Sequence, residues 1–215
     1  MICVIVANMM TTDLFAALAV FAFVSSITPG PNNLMLMTSG INFGMRRTVP
    51  HMLGVSLGFT LMIVLIGLGV MKVIDAMPGS MLFITIASGL YLLYMAWKIA
   101  TTSTSPAETG EAVVESKPFT FLQAASFQWV NPKAWTMALT AISAYAPKSQ
   151  GWAGVFIVAG VFGIINLPST GAWAVMGAKM RRFLSDPVRL KAFNVVAAIL
   201  LVASLYPMVS GLLAA

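Results

Sequence analysis

One stretch of this sequence decides its fold, Thr28-Pro29-Gly30-Pro31-Asn32-Asn33, and it lies between two apolar runs at residues 14–27 and 34–38. Neither run reaches the roughly 20 residues that a membrane-spanning helix needs. Each proline lacks an N–H and clashes with the preceding turn, and the glycine adds backbone freedom. Backbone groups freed within lipid must face protein or a polar cavity. The stretch therefore predicts one span that is broken inside a helical bundle, with a plain loop between two helices as the alternative.

The residues that follow the break begin a second half-helix. Pro29, Gly30 and Pro31 are expected to hold the backbone open, and Asn32 and Asn33 then stand in the first turn of the half-helix. Side-chain amides and free N–H groups at a helix start can bind a polar ligand. These two asparagines are therefore predicted to contact a substrate.

The composition indicates an integral membrane protein. Of the 215 residues 59% are hydrophobic and 8% are charged, against about 25% charged in soluble domains. The single cysteine, Cys3, excludes an intramolecular disulfide;. The net charge of +6 does not indicate nucleic-acid binding, because the basic residues lie in short loops between apolar runs. The first ten residues contain no Lys or Arg, so no cleaved secretory signal is expected;.

Six membrane spans are predicted, at about residues 12–38, 49–71, 80–100, 119–145, 152–176 and 192–213. A polar segment at 101–118 separates residues 1–100 from residues 119–215 and is predicted to be a flexible linker. Asn131-Pro132-Lys133 interrupts the fourth span, so each half opens with a broken span. Because each half has an odd number of spans, the two halves must lie in opposite orientations in the membrane. The predicted fold is all-α, six transmembrane helices in two inverted three-helix repeats, which is typical of secondary transporters.

The second span carries a helix-packing signal. Gly54 and Gly58 have the spacing of small residues that lets two membrane helices approach closely;. We therefore expect this face to contact another helix.

The basic residues predict the orientation, because cytoplasmic loops are enriched in Lys and Arg. The loops after the first, third and fifth spans hold nine, whereas the opposite loops hold Lys72 and Lys148; the nine are Arg46, Arg47, Lys98, Lys117, Lys179, Arg181, Arg182, Arg189 and Lys191. The linker at 101–118 is then cytoplasmic and both termini are periplasmic.

Two ionisable residues need an explanation. Lys133 lies within a span, where a charge is costly unless it faces a cavity, pairs with carbonyls or snorkels to the interface;. If Lys133 is functional, its ammonium is expected to attract a substrate carboxylate. No Asp or Glu lies in a span core, so His51 is the candidate for proton coupling, with an ordinary interfacial histidine as the alternative;.

The remaining polar residues argue against an enzyme and against a metal site. Neutral amides and hydroxyls in the spans suit a zwitterion, and they include Asn131, Gln128, Asn166 and Ser169. One histidine, one cysteine and no buried acid offer no metal ligands. The sequence contains no phosphate-binding glycine loop and no nucleophile–base pair, so no cofactor is expected.

Three ordered motifs resemble the LysE/RhtB family of amino-acid exporters. They are TPGPNNLMLMTSGINFGMRRTVPHMLGVSLGF at 28–59, ITIASGLYLLYMAWKI at 84–99 and NPKAW at 131–135. Residues 96–103 and 117–145 look most like the cysteine/O-acetylserine exporter branch. The resemblance implies export of amino acids or close derivatives across the bacterial inner membrane, driven by the proton gradient. It also implies functional motifs at residues 29–33 and 131–133.

The sequence thus predicts a secondary transporter that exports amino acids by alternating access. Asn32, Asn33 and Asn131 are the expected hydrogen-bonding residues, Lys133 the carboxylate-binding residue, and Pro132 the second helix-breaking residue. The expected partners are an amino acid, the lipid bilayer and protons, and a homo-oligomer is left open. The alternatives are a channel, a membrane scaffold without transport, or export of a different small solute.

Overall fold

The structure, a computed structural model, describes residues 11–102, 117–147, 150–184 and 186–206. Within these ranges every regular element is a helix. Three helices are long and apolar enough to cross a membrane, and a fourth span results if one bent helix pair counts as one. The predicted all-helical membrane class is confirmed. The six-span arrangement in inverted repeats stays a prediction.

The first predicted span consists of two helices joined at the break. α1 comprises Thr12–Ile27 and α2 comprises Pro31–Phe43, with an angle of 53° between them. Pro31 is the first residue of α2, a position where its missing N–H breaks no hydrogen bond. α2 runs beyond the predicted boundary at residue 38, because the turn that ends it is at Gly44, where φ is 77°.

The next two predicted spans contain three helices. α3 comprises Met45–Gly67, α4 Val70–Asp75 and α5 Ser80–Ala100. α3 begins before the predicted residue 49 because the basic turn is itself helical. It ends before the predicted residue 71 because Gly69, with φ of 105°, starts the short α4. α5 has the predicted bounds.

The fourth predicted span is broken where the sequence indicated. α6 comprises Phe121–Phe127, a 3-10 turn follows at Gln128–Val130, and α7 comprises Pro132–Tyr145. Thr120 and Gln123 form a capping box that satisfies the first N–H groups of α6;.

Two longer helices complete the described chain. α8 comprises Trp152–Met180, longer than the predicted 152–176, and α9 comprises Pro187–Ala203, which begins before the predicted residue 192. α9 starts early because Asp186 caps it by accepting hydrogen bonds from two backbone N–H groups;. The end of the sixth predicted span, at 207–213, and the linker residues 103–116 lie outside the described residues.

α8 is the helix around which the others pack, since it contacts α1, α2, α3 and α7. Its contact with α2 is made by glycines. A methyl group on Gly40 would collide with the carbonyl of Ala174, and one on Gly177 with the carbonyl of Met37. Buried apolar side chains from α1, α3, α7 and α8 form the main core, and its fully enclosed members include Leu18, Met62, Ile63, Ala138 and Phe162.

The two glycines of α3 contact α6. A Cβ on Gly54 would collide with the carbonyl of Phe121, and one on Gly58 would lie 2.6 Å from Cα of Ala125. The close approach expected from their spacing is therefore present, with α6 as the partner helix.

We expect Gly58→Leu to lower the amount of folded protein in the membrane severalfold. The added side chain would collide with the α6 backbone, and overpacking of this kind costs about 1–3 kcal/mol. The control is Gly160→Leu on α8, because Gly160 faces open space within 4 Å. Membrane abundance and monodispersity in detergent are the measurements. Equal abundance of the two variants would contradict the packing role of Gly58.

Candidate functional site

A polar cavity lies between the two helix breaks. It holds about 310 Å³ of empty space, a volume that includes its open mouth. Its polar lining comes from α1, α2, α7, α8 and the turn before α7, and it includes Ser25, Ser26, Asn32, Asn33, Gln128, Asn131, Lys133, Asn166 and Thr170. We call this cavity the central pocket.

The first break frees backbone carbonyls, and side chains satisfy them. Nδ2 of Asn33 donates to the carbonyls of Ser26 and Thr28, each at 2.8 Å. Nε1 of Trp173 donates to the carbonyl of Ile27 at 3.0 Å. Unpaired carbonyls at this depth would be costly in lipid. These contacts therefore stabilise the extended backbone at the break.

The lysine of the second break, Lys133, contacts the backbone of the first break. Oδ1 of Asn131 accepts a hydrogen bond from the backbone N–H of Lys133 at 3.1 Å and so caps α7. The ammonium Nζ of Lys133 donates to the carbonyl of Thr28 at 2.6 Å and lies 3.4 Å from that of Pro29. A Cβ on Gly30 would lie 2.7 Å from the Lys133 side chain, so the glycine leaves room for this crossing.

The two breaks are also joined by a pair of amides. Nδ2 of Asn32 donates to Oε1 of Gln128 at 2.9 Å, and Nε2 of Gln128 donates to Oδ1 of Asn32 at 3.3 Å. Gln128 is fully buried and also donates to the carbonyl of Ala124 at 2.9 Å. Each break is thus contacted by a side chain of the other.

A buried network connects the pocket with α1, α3 and α8. Nδ2 of Asn166 donates to Oγ of Ser26 at 3.1 Å, and Oδ1 of Asn166 accepts from Oγ of Ser56 at 2.9 Å. Oγ of Ser56 also lies 3.3 Å from Oγ1 of Thr170. These hydrogen bonds fix the position of the Asn166 amide beside the pocket.

The structure brings together most of the predicted site residues. Asn32, Asn33, Asn131 and Lys133 all line the central pocket, and so does Gly30. Pro31 and Pro132 are the first residues of α2 and α7, and Pro29 lies in the extended link. The ammonium of Lys133 contacts the first break, and its role as a carboxylate-binding residue stays a prediction.

His51 lies outside the central pocket. It is fully buried in α3, with its ring centroid 5.0 Å from that of Phe119, and neither ring nitrogen has a hydrogen-bond partner in the structure. Both interpretations of His51, a role in proton coupling and an ordinary interfacial histidine, stay predictions.

Sequence reasoning did not single out Ser26 or Thr170. The only sequence signals for these two residues were their positions. Ser26 is two residues before the broken stretch, and Thr170 is one helical turn after Asn166;.

The pocket's chemistry suits a small zwitterion. The ammonium of Lys133 can pair with the negative group of such a ligand. The amide and hydroxyl oxygens of the lining can accept hydrogen bonds from its positive group;. No acidic residue lines it, and among the described residues no group of three His, Cys, Asp or Glu could hold a metal ion.

Comparison with known proteins gives related sequences. The LysE type translocator family profile matches residues 23–204. The cysteine/O-acetylserine efflux protein of Escherichia coli strain K12 is 31% identical over 197 residues, covering 90% of this chain and 96% of that protein. The proteins of that name from Shigella sonnei strain Ss046 and Escherichia coli O139:H28 are 31% and 30% identical over the same length.

No solved structure is significantly similar to this chain. The profile covers most of the sequence, and the relatives align with it almost from end to end. The polar pocket between broken helices agrees with a transport protein rather than an enzyme. The chain belongs to the LysE type translocator family.

Proposed function

We propose that this protein is a secondary transporter that exports amino acids or close derivatives across the bacterial inner membrane. The observation that carries the proposal is the central pocket, in which each helix break is contacted by a side chain of the other. The relatives named as cysteine/O-acetylserine efflux proteins favour small polar amino acids. An amino acid with a short polar side chain matches the amide-rich lining.

In this proposal Lys133 binds the substrate carboxylate. Its ammonium has three N–H donors, and two carbonyls lie within reach of it, so a donor remains for a ligand;. The oxygens of Asn32, Gln128 and Asn131 would face the substrate's amino group. Such a site would bind the carboxylate through a cation and the amino group through neutral oxygen atoms.

Transport would proceed by alternating access of two inverted three-helix repeats, residues 1–100 and 119–215, around the breaks. The asymmetry of basic residues supports placing the ends of α2 and α5 toward the cytoplasm;. Both termini would then be periplasmic. We propose protons as the coupling ion, with His51 as the candidate residue because it is a buried titratable group with unpartnered nitrogens;.

The test is efflux from liposomes that contain the purified protein. We expect saturable release of O-acetyl-L-serine or L-cysteine from loaded vesicles, accelerated by a pH gradient, with protein-free vesicles as the control. A channel would give flux that rises linearly with concentration. A membrane scaffold would give the flux of empty vesicles. Either result across a panel of amino acids would overturn the proposal.

A further inference from the structure

A second polar chamber lies further along α2, toward the ends of α2 and α5. It holds about 300 Å³ of empty space counting its mouth. α2 contributes one wall, the end of α5 another, and the residues just before α6 the third; its polar lining is Thr38, Ser39, Asn42, Lys98, Thr102 and Lys117. The chamber and the central pocket share no lining residue.

Among the described residues that line the chamber, every charged side chain is basic. Both ionisable lining residues are lysines, Lys98 and Lys117. Within the described part of the chain, neither lysine pairs with a carboxylate. Nζ of Lys98 lies 4.6 Å from the ring centroid of Phe119, which positions its ammonium at the chamber wall. The chamber therefore attracts an anion.

One hydroxyl in the chamber lacks a partner. Oγ1 of Thr38 is buried and forms no hydrogen bond in the structure. Its neighbours are engaged, since Ser39 pairs with Thr48 at 2.9 Å and Asn42 forms two hydrogen bonds with Asn194. A buried hydroxyl without a partner is unfavourable, so Thr38 is the group that a ligand would satisfy.

The chamber and the central pocket share one helix. Thr38 is six residues beyond Asn32 on α2, or about 9 Å along the helix axis;. Met35 lies between them and packs in an apolar cluster with Leu92 and Phe127. A solute in the chamber would therefore have to pass this apolar layer to reach the central pocket.

We infer that this chamber is a second binding site, where the carboxylate of an amino acid binds to Lys98 and Thr38 before the solute enters the central pocket. The inference rests on the proposed function for the identity of the solute. It assigns to the chamber a ligand class, an α-amino carboxylate, and a place on the cytoplasmic side of the route.

The test uses modification of a cysteine in the chamber wall. In purified full-length protein with Cys3→Ser, Thr102→Cys places a thiol in the chamber, and Thr101→Cys places one on the exposed neighbouring residue. The rate of reaction with N-ethylmaleimide is measured with O-acetyl-L-serine, with its carboxamide, and with sodium phosphate. The carboxamide keeps the size and the amino group but lacks the carboxylate.

We expect O-acetyl-L-serine at tenfold its dissociation constant to slow the reaction at Thr102→Cys about tenfold, because only unoccupied protein reacts. The carboxamide should not protect, and Thr101→Cys should react at an unchanged rate. Lys98→Gln should weaken the protecting affinity about tenfold or more, and Thr38→Val about threefold, as expected for a charge-assisted and a neutral hydrogen bond. Protection should persist in Lys133→Ala, which disables the central pocket.

Several results would overturn the inference: equal protection by the carboxamide, protection by phosphate but not by the amino acid, protection lost with Lys133→Ala, or no effect of Lys98→Gln. Transport by the unmodified protein is measured separately in liposomes. Protection without transport would keep the carboxylate site and overturn the proposed function, whereas transport without protection would do the reverse.

Discussion

Lys133→Ala is expected to lower the export rate per inserted protein molecule by about ten- to hundredfold. A hydrogen bond to a charged group is worth about 1.5–3 kcal/mol, and the substrate carboxylate would lose its cationic partner. Insertion should be unaffected, because removing a charge from a span lowers the cost of insertion. The carbonyl of Thr28 also remains paired, since Asn33 donates to it as well. The measurement is efflux at several concentrations, divided by the amount of folded protein in the membrane.

Two control variants sharpen this result. Lys133→Arg keeps the charge but replaces a compact ammonium with a planar guanidinium. Because the space beside Gly30 is narrow, we expect this variant to transport at a reduced rate;. Lys72→Ala removes an exposed cation far from the pocket and should transport normally. If Lys133→Ala exports at the normal rate, Lys133 only stabilises the break, and Asn32, Asn131 and Gln128 remain as candidates.

The neighbouring asparagines of the first break are expected to differ sharply. Asn33→Ala should lower stability by about 1–3 kcal/mol, because the carbonyl of Ser26 loses the donor that the structure gives it;. Asn32→Ala should cost less, about 1 kcal/mol, because Gln128 lines the pocket, where water can replace the donor that its Oε1 loses, and its Nε2 keeps the hydrogen bond to Ala124;. Asn32→Ala should instead reduce transport, because its amide joins the two breaks inside the pocket.

Thermal unfolding of the purified variants in detergent separates these effects. For a chain of this size, a loss of ~2 kcal/mol corresponds to a fall of roughly 5 °C in the apparent melting temperature. Efflux per folded molecule is measured on the same preparations. A fall in melting temperature for Asn32→Ala as large as that for Asn33→Ala would show that both amides mainly hold the backbone. Normal efflux by Asn32→Ala would remove it from the substrate site.

The two breaks could be predicted from sequence because their causes are local. A proline has no N–H wherever it stands, and a polar Asn-Pro pair inside an apolar run indicates a helix start. The start of α2 at Pro31 and of α7 at Pro132 follows from these rules. α5 had predictable ends for a similar reason, since a glycine with φ of 80° precedes it and polar residues follow it.

Other helix ends could not be predicted, because hydropathy does not record backbone turns. The apolar run of the second span continues without interruption through Gly67 and Val70, yet the chain turns at Gly69. At its start, Arg46 and Arg47 indicated a loop before residue 49, but the helix already begins at Met45 and includes Pro50. A proline near a helix start disturbs few hydrogen bonds, because most N–H groups there lack intrahelical partners.

The partners of the pocket residues were beyond sequence reasoning. Asn166 contacts Ser26 across 140 positions, and Asn32 contacts Gln128 across 96. Spacing within a helix gives the face on which a residue lies, but not which helix packs against that face. The asparagines could therefore be nominated individually, whereas the assembly of one pocket from both breaks required the fold.

The glycine contacts between α2 and α8 have a mechanical consequence. Because neither Gly40 nor Gly177 has room for a methyl group against the facing backbone, α2 and α8 pack at close distance, and we expect them to move together as one block. A rearrangement would then bend the chain where it leaves that block. The extended link at residues 28–30 and the turn at Gly44, with φ of 77°, are the two places beside α2 where the chain is not helical. These two points would act as hinges, and the first of them is the link that Lys133 contacts beside the proposed substrate site.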